Sequence, residues 1–254
     1  MHSIGLISII MAAYNAEQTI TQAIESVIKQ SYQNWELIIV NDCSTDGTAD
    51  QINKYQDPRI IKLENNNNMG VFRTRLRAAT EARGEWIAIL DSDDAWTLDK
   101  LEKQAEHQKK TNANLIFTGS AFMKADGSPL SWILHIPDKI SYRQLLKQNL
   151  ISNSSVLVRK HLYMTHQIPG NNMHEDYACW LDCLRAGEIA FGIDEPLLIY
   201  RLSEQSKTGN KLKSAKMNWN TYQATGLSLL ASAWYMVFYT VNGLIKYRKI
   251  KIHK

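Results

Sequence analysis

Cysteine is scarce in this 254-residue chain: Cys43, Cys179 and Cys183 are the only three, and no C-x-x-C pair occurs. Disulfides and a structural zinc site are therefore not expected, and a reducing compartment fits. Cys179 and Cys183 stand four apart, the spacing of one helical face, and read as packing residues. Also absent are the G-x-G-x-x-G run of a dinucleotide-dependent oxidoreductase and any Walker loop. Acids are missing from the end of the chain, where the last nine residues, KYRKIKIHK, hold five cations. The net charge of +4 comes from that tail, because the remainder carries 24 cations against 25 acids. Such a balance gives no reason to expect nucleic acid as a partner. Between Met217 and Ile245 there is no charged residue at all.

What is present is the composition of an ordinary globular protein, 44% hydrophobic and 21% charged, long enough to bury one large core. The apolar run Ile4 to Ala13 lacks a basic leader and reads as a core strand rather than a secretion signal. Leu6 to Met11 fits a buried strand, and Ile20, Ala23, Ile24, Val27 and Ile28 then mark one helical face, with Asn15 and Gln18 spaced as a capping box before it. Strands at Trp35 to Val40, Ile60 to Leu63 and Trp86 to Leu90 alternate with helices at Asp46 to Tyr55 and Gly70 to Ala82. Continuous apolar strands separated by amphipathic helices predict a Rossmann-like α/β fold, a mostly parallel sheet with helices on both faces. The second half is less regular. It predicts helices at Leu98 to Lys110, Tyr142 to Gln148 and Asp176 to Ala186, and strands at Leu115 to Phe122, Ser155 to Val158 and Ile189 to Tyr200. One domain over 1–214 is expected, in two parts meeting near residue 95, followed by a helical extension over 215–254.

Leu90-Asp91-Ser92-Asp93-Asp94 sets three carboxylates directly after a buried strand. Mutual repulsion there is relieved by a cation, and the all-oxygen set suits Mg²⁺ or Mn²⁺ completed by water and diphosphate oxygens. The alternative is a solvated acidic loop capping the next helix. Asp42, in Asn41-Asp42-Cys43-Ser44-Thr45-Asp46, follows another strand end. On the carboxyl edge of a parallel sheet it can accept a hydrogen bond from a base, or, like Ser44 and Asp46, simply cap a helix. Met173-His174-Glu175-Asp176-Tyr177 opens a helix whose dipole favours carboxylate there, the form that takes a proton. His174 offers a second base near neutrality. Tyr200 to Lys207 is rich in donors suited to phosphate, or is a solvated linker.

The ordered segments IIMAAYNAE, WELIIVNDCSTDGT, NMGVFRTR and AILDSDDAW resemble the family 2 glycosyltransferases of the GT-A fold. The resemblance implies a single sugar-nucleotide domain over 1–214, about 1–95 its nucleotide-binding half and 96–214 its acceptor half, in which Tyr14 stacks near uracil, Asp42 binds its ring N–H and Arg75 sits by the base. It implies Asp91 at the ribose or metal, Asp93 as direct metal ligand and Asp176 as the base that deprotonates the acceptor. Arg201 and Lys207 would meet the diphosphate, while Asp94, His174, Glu175 and Trp180 would line the acceptor side. Ala12 stands where the family often has Pro, Asn41 where a first Asp is frequent, and Cys43 where Gly is common.

The implied reaction is inverting transfer of one sugar from a UDP-sugar, with Mn²⁺ or Mg²⁺ as cofactor, onto a polyprenyl-diphosphate-linked saccharide. It would serve lipopolysaccharide or similar surface polysaccharide synthesis. No Q-x-x-R-W segment or array of membrane spans accompanies it, so processive synthesis is not expected. Leu227 to Ile245 approaches the roughly 20 residues of a membrane span, but a span would place the basic tail opposite a catalytic domain facing cytoplasmic donors, against the positive-inside tendency. The expectation is a cytoplasmic protein held peripherally on the inner membrane face, Trp234, Tyr235, Phe238 and Tyr239 at the lipid boundary and Lys246 to Lys254 on anionic headgroups. Docking of that helix on the domain or on a partner subunit is the alternative, and the oligomeric state is left open. Two other readings compete: a catalytically silent GT-A scaffold in a glycan-assembly complex, and a nucleotide-sugar pyrophosphorylase. The latter should open on a Gly-rich basic loop where Tyr14 and Asn15 stand.

Overall fold

The computed structural model describes residues 4–170, 172–202 and 211–252. Its first half is built on four parallel strands, β1 (Ile7–Ala13), β2 (Trp35–Asn41), β3 (Ile60–Glu64) and β4 (Trp86–Ile89), in the order β3-β2-β1-β4. Side chains alternate across a strand, so Ile7, Ile9 and Met11 share a face with Trp35, Leu37 and Ile39 of the paired strand. That face is covered by Ile20, Ala23, Ile24 and Val27 of α1 (Ile20–Ile28) and by Leu101 of α4 (Lys100–Thr111). The other face, Ile10, Ile38, Val40, Ile87 and Ile89, packs under Ala78 and Ala79 of α3 (Val71–Glu81) and under α7 (Glu175–Arg185). Fully burying each such aliphatic side chain contributes about 1.5–3 kcal/mol, and burial on both faces is why these strands read as unbroken apolar runs.

The second half joins through antiparallel pairing. β9 (Leu157–Arg159) runs antiparallel to β4, and β6 (Leu115–Met123) antiparallel to β9. β10 (Ala190–Arg201) then lies parallel to β6, with an irregularity between Ile193 and Leu198. The two-residue β5 (Ala95–Trp96) pairs with β10 on the far side. Residues 91–94 therefore connect β4 to a strand that lies beyond β9, β6 and β10. Short pieces complete the sheet and connections: α2 (Thr48–Asn53), β7 (Pro129–Leu134) on β6, β8 (Lys139–Ile140) on β10, α5 (Tyr142–Lys147) and α6 (Lys160–Thr165). Two helices follow, α8 (Lys211–Ala224) against α7, and α9 (Leu229–Ile252) against α8 and α5.

One local reading changes. Asn15 and Gln18 form no capping box: α1 begins at Ile20, and Asn15 sits at φ +48° with its side-chain oxygen accepting the Thr45 N–H at 2.9 Å. A reciprocal capping box occurs instead at Ser141 and Gln144, ahead of α5. The mostly parallel sheet stands: β6 and β10 run with the first four strands, while β9, β5 and the short β7 and β8 reverse. β5, β7, β8 and α6 escaped the periodicity because two to six residues do not fill one period convincingly.

A polar knot lies inside the apolar sheet. Ser8 Oγ donates to Glu36 Oε1 at 2.7 Å and accepts the Gly84 N–H at 2.8 Å, while Glu36 also accepts from the Arg83 backbone and guanidinium. A Cβ at Gly84 would stand 2.4 Å from the Leu6 carbonyl oxygen and 2.8 Å from Ser8 Oγ. Gly84→Ala is expected to lower unfolding stability by about 1–3 kcal/mol in urea denaturation, with native-like circular dichroism.

Candidate active site

Above the carboxyl ends of β1 and β4 opens a cleft of about 1070 Å³, lined on one side by Tyr14, Asp91, Asp93 and Asp94 and on the other by His174, Glu175 and Asp176. Its size suits a ligand larger than a single small metabolite. Tyr14 is half exposed at its rim, so its ring is available for stacking.

Asp42 lies at the end of β2, buried. Its Oδ1 accepts Asn65 Nδ2 at 2.7 Å and the Met69 N–H at 2.8 Å, and its Oδ2 accepts the Gly70 N–H at 2.9 Å. Burial pulls its pKa upward, but these donors and Thr74 outweigh it and hold Asp42 below the usual carboxylate range. The carboxylate thus shapes the 65–70 segment ahead of α3. With Thr74 the donors number four, which fill the about four acceptor sites of a carboxylate, and Asp42 stands behind the cleft rather than on its lining. The preceding Asn41 receives Ser44 through its oxygen, and Cys43 adopts φ +58°. That left-handed backbone is the physical reason Gly suits this position better.

Arg75, on α3, is buried, and its guanidinium donates to Asp91 Oδ1 on one side and to Glu175 Oε1, at 3.1 Å, on the other. Burial opposes its charge, yet Asp91 and then Glu175 more than compensate and hold it protonated. One cation therefore ties the acid loop of the first half to the helix that carries Asp176. Arg75 Nε and Asn153 Nδ2 have no protein partner; with Asp176, Tyr163 and Gln167 these residues line a small cavity beside the cleft.

The remaining acids sit in unequal surroundings. Asp93 is half-buried, and burial followed by the charge of Asp91 pushes its pKa up to about 6. Asp94 is buried and raised further by burial and by Asp93 and Asp91. It accepts the Arg201 N–H at 2.9 Å and a bond from Ser154, and so clamps the loop to the end of β10. Asp176 opens the first turn of α7, and burial, then Glu175, raises its pKa. Among the described residues no cluster of three or more His, Cys, Asp or Glu could enclose a metal alone. Asp91 and Asp93 facing one cleft fit an ion of the Mg²⁺ type, which takes one or two carboxylates and completes its shell with water and substrate phosphate.

Two expected site residues stand elsewhere or in another role. Trp180 is fully buried in the core, its ring 6.1 Å from that of Tyr163, and does not line the cleft, because it projects from the inner face of α7. Arg201 borders the cleft, but its guanidinium donates to the carbonyls of Asp93, at 2.8 Å, and Ala125, at 2.9 Å, and to Gln22. It braces the acid loop from below. Lys207 lies outside the described residues. Cys179 and Cys183 are buried packing residues, as their spacing indicates. Ser154 went unnoticed: its Oγ accepts the Asp91 N–H at 3.1 Å and its carbonyl accepts Trp96 Nε1 at 2.7 Å. No local sequence signal marks it, since its partners lie about sixty residues away.

Residues 8–173 match Glycosyl transferase family 2. The chain belongs to this family. Among its curated relatives, the family 2 chain is 38% identical over 244 residues to TuaG of Bacillus subtilis (strain 168), a glycosyltransferase named for teichuronic acid biosynthesis, covering 95% of this chain and 97% of TuaG. It is 35% identical over 243 residues, 95% of both chains, to the Escherichia coli UDP-Glc:alpha-D-GlcNAc-diphosphoundecaprenol beta-1,3-glucosyltransferase WfgD. Among solved structures, S. aureus TarS 1-349 in complex with UDP-GlcNAc superposes with a TM-score of 0.72 at 18% identity, over 91% of this chain and 70% of that one, and the GT-A fold is shared.

The raised pKa of Asp93 has a stability consequence. Its folded value of about 6 exceeds the unfolded one, so the folded state holds the extra proton at lower pH and the charged form costs stability once pH rises past that value. Asp93→Asn is expected to raise Tm in metal-free buffer at pH 7.5, with the gain shrinking to nothing below about pH 4, as read by differential scanning fluorimetry across pH.

Proposed function

We propose that this family 2 glycosyltransferase moves one sugar from a UDP-sugar to a polyprenyl-diphosphate-linked saccharide, with inversion at the anomeric carbon, during assembly of a bacterial surface polysaccharide. The observation that carries the reading is the placement of Asp93 and Asp176 on one cleft, one on the loop after β4 and the other at the start of α7. Support for the donor and acceptor classes comes from WfgD, whose name joins UDP-Glc to a diphosphoundecaprenol-linked sugar. The β linkage in that name agrees with inversion of an α-linked UDP-sugar.

In this reading Tyr14 stacks on the uracil, and Asp42 takes the ring N–H in exchange for one of its four present donors. Asp91 and Arg75 hold the ribose side of the donor, and Asp93, with Asp91, holds Mg²⁺ or Mn²⁺. A divalent ion bound there supplies positive charge against the diphosphate oxygens as negative charge grows on them. Asp176 accepts the proton of the acceptor hydroxyl as that oxygen attacks the anomeric carbon. The N-terminal end of α7 favours its charged form, which is the reactive one, against the burial that disfavours it. Arg75, through Glu175, fixes the first turn of α7 and hence the direction of the Asp176 side chain. His174 and Glu175 border the space for the acceptor. The transfer takes place at the inner face of the cytoplasmic membrane, where a lipid-linked acceptor is exposed to cytoplasmic donors.

Asp176→Asn is expected to lower kcat by about 10²–10⁴-fold while leaving KM for the UDP-sugar within a few-fold, measured as UDP release with a lipid-diphosphate-sugar acceptor. Undiminished turnover in EDTA, or in Asp93→Ala, would remove the metal from the reading, and absence of any UDP-sugar turnover would favour a silent scaffold. Because the base works unprotonated, kcat/KM should fall as pH drops through the raised pKa of Asp176. Glu175→Gln deletes a negative charge that raises that pKa, so the acidic limb of the profile is expected to move to lower pH.

A further inference from the structure

The last acid of the chain is Glu204, and the fifty residues after it carry nine Lys or Arg and no carboxylate. Within that basic segment α9 presents two unlike faces. Its inner face is spoken for: Ser232 is buried, the Tyr235 ring lies 6.4 Å from that of Tyr222, and the Tyr239 hydroxyl is 2.8 Å from Ser214 Oγ. Asn242 Nδ2 donates to the Lys147 carbonyl at 3.1 Å, anchoring the helix to the end of α5. Phe238 is half-buried and stacks edge-on with Trp234. Of the four aromatics expected at the lipid boundary, only Trp234 is therefore fully turned outward.

The outer face is apolar. Leu230, Trp234, Val237 and Val241 recur at spacings of four, three and four and are 87%, 62%, 58% and 50% exposed, and Leu229 beside them is 66% exposed. Spacing of that kind makes one stripe along a helix. Among the described residues no helix is long and apolar enough to cross a membrane. An uncovered apolar stripe that runs into a cationic end, with no acid on the helix, complements a surface that is apolar beneath and negatively charged above. Pairing with the same helix of a second copy would bring two acid-free basic segments together, which repel.

We infer that the outer face of α9, made by Leu229, Leu230, Trp234, Val237 and Val241, docks flat in the headgroup region of an anionic bilayer. This rests on the reading that the protein works at a membrane face, and it names the surface that reaches it. The docking helix sits one helix away from the base: on α8, Thr221 Oγ1 accepts the His174 N–H at 3.0 Å and Asn220 Nδ2 donates to the Asn172 carbonyl at 2.9 Å, just ahead of Asp176. Docking through α9 therefore brings the bilayer within one helix of the segment that leads into α7.

The test is flotation of the full-length protein with vesicles of phosphatidylglycerol and phosphatidylethanolamine, against pure phosphatidylcholine. Binding to the anionic vesicles, weakened at least about tenfold by the pair Leu230→Glu and Val237→Glu and by raised salt, is the expected result. A second pair, Lys249→Gln and Lys251→Gln, leaves the stripe intact and is expected to weaken binding to anionic vesicles alone. Equal flotation of wild type and the Leu230/Val237 pair, or equal binding to neutral lipid, would overturn the inference. So would light scattering showing that the stripe pair splits a dimer while vesicle binding is unchanged. UDP release with a water-soluble acceptor analogue is read in parallel: it stays at wild-type level in both pairs if only docking is affected, and its absence in wild type would instead count against the transferase reading.

Discussion

A guanidinium withdrawn from water persists only where carboxylates replace the lost hydration, and Arg75 has two, reached from opposite directions. Asp91 comes from the loop after β4 and Glu175 from the first turn of α7, so the same cation fixes the distance between the acid loop and the base helix. Removing one partner of such a buried pair costs about 3–5 kcal/mol in known cases. The more telling effect is geometric: nothing else in the cleft spans its two walls with a charged contact among the described residues. In the proposed inverting transfer a departing diphosphate and an incoming hydroxyl must lie on one line, and a shared cation between the walls keeps that line.

The nucleotide side is held differently, by a carboxylate whose partners are backbone N–H groups. Asp42 draws the Met69 and Gly70 amides toward the end of β2; burial strengthens those bonds, and the donors together outweigh the burial that opposes its charge. Cys43 keeps a left-handed backbone at the turn that follows, and Asn41 satisfies Ser44 with its own side chain. These departures from the common family residues alter the loop chemistry while leaving the Asp42 carboxylate in place.

Much of this was legible from residue order. Burial on both sheet faces writes itself as continuous apolar runs, so β1, β2, β4 and the helices between them could be placed within a residue or two. The positions of Asp42, Asp91, Asp93 and Asp176 could be marked because strand ends and helix starts are local signals, while the roles proposed for them came from the resemblance to family 2. The braces could not be. Arg201 looked like a phosphate ligand because its donors are visible in sequence while its acceptors, the carbonyls of Asp93 and Ala125, are far away along the chain. Trp180 lies on the apolar face of α7, and only packing shows that this face turns into the core and away from the cleft. Ser154 was silent for the same reason as Arg201: its value is entirely in partners brought close by folding.

The short strand β5 carries an implication beyond catalysis. Residues 91–94 leave the first half, and the chain is immediately stitched to β10 by Leu198 and Ile199, to Ser154 by Trp96, and to the Arg201 amide by Asp94. The acidic turn therefore acquires its shape only after segments a hundred residues downstream have arrived. The first four strands are not a portable module: cut free at residue 95, they would carry the acidic letters of the motif without the scaffold that spells them into a shape, and exchange between family members by recombination would have to move both halves together.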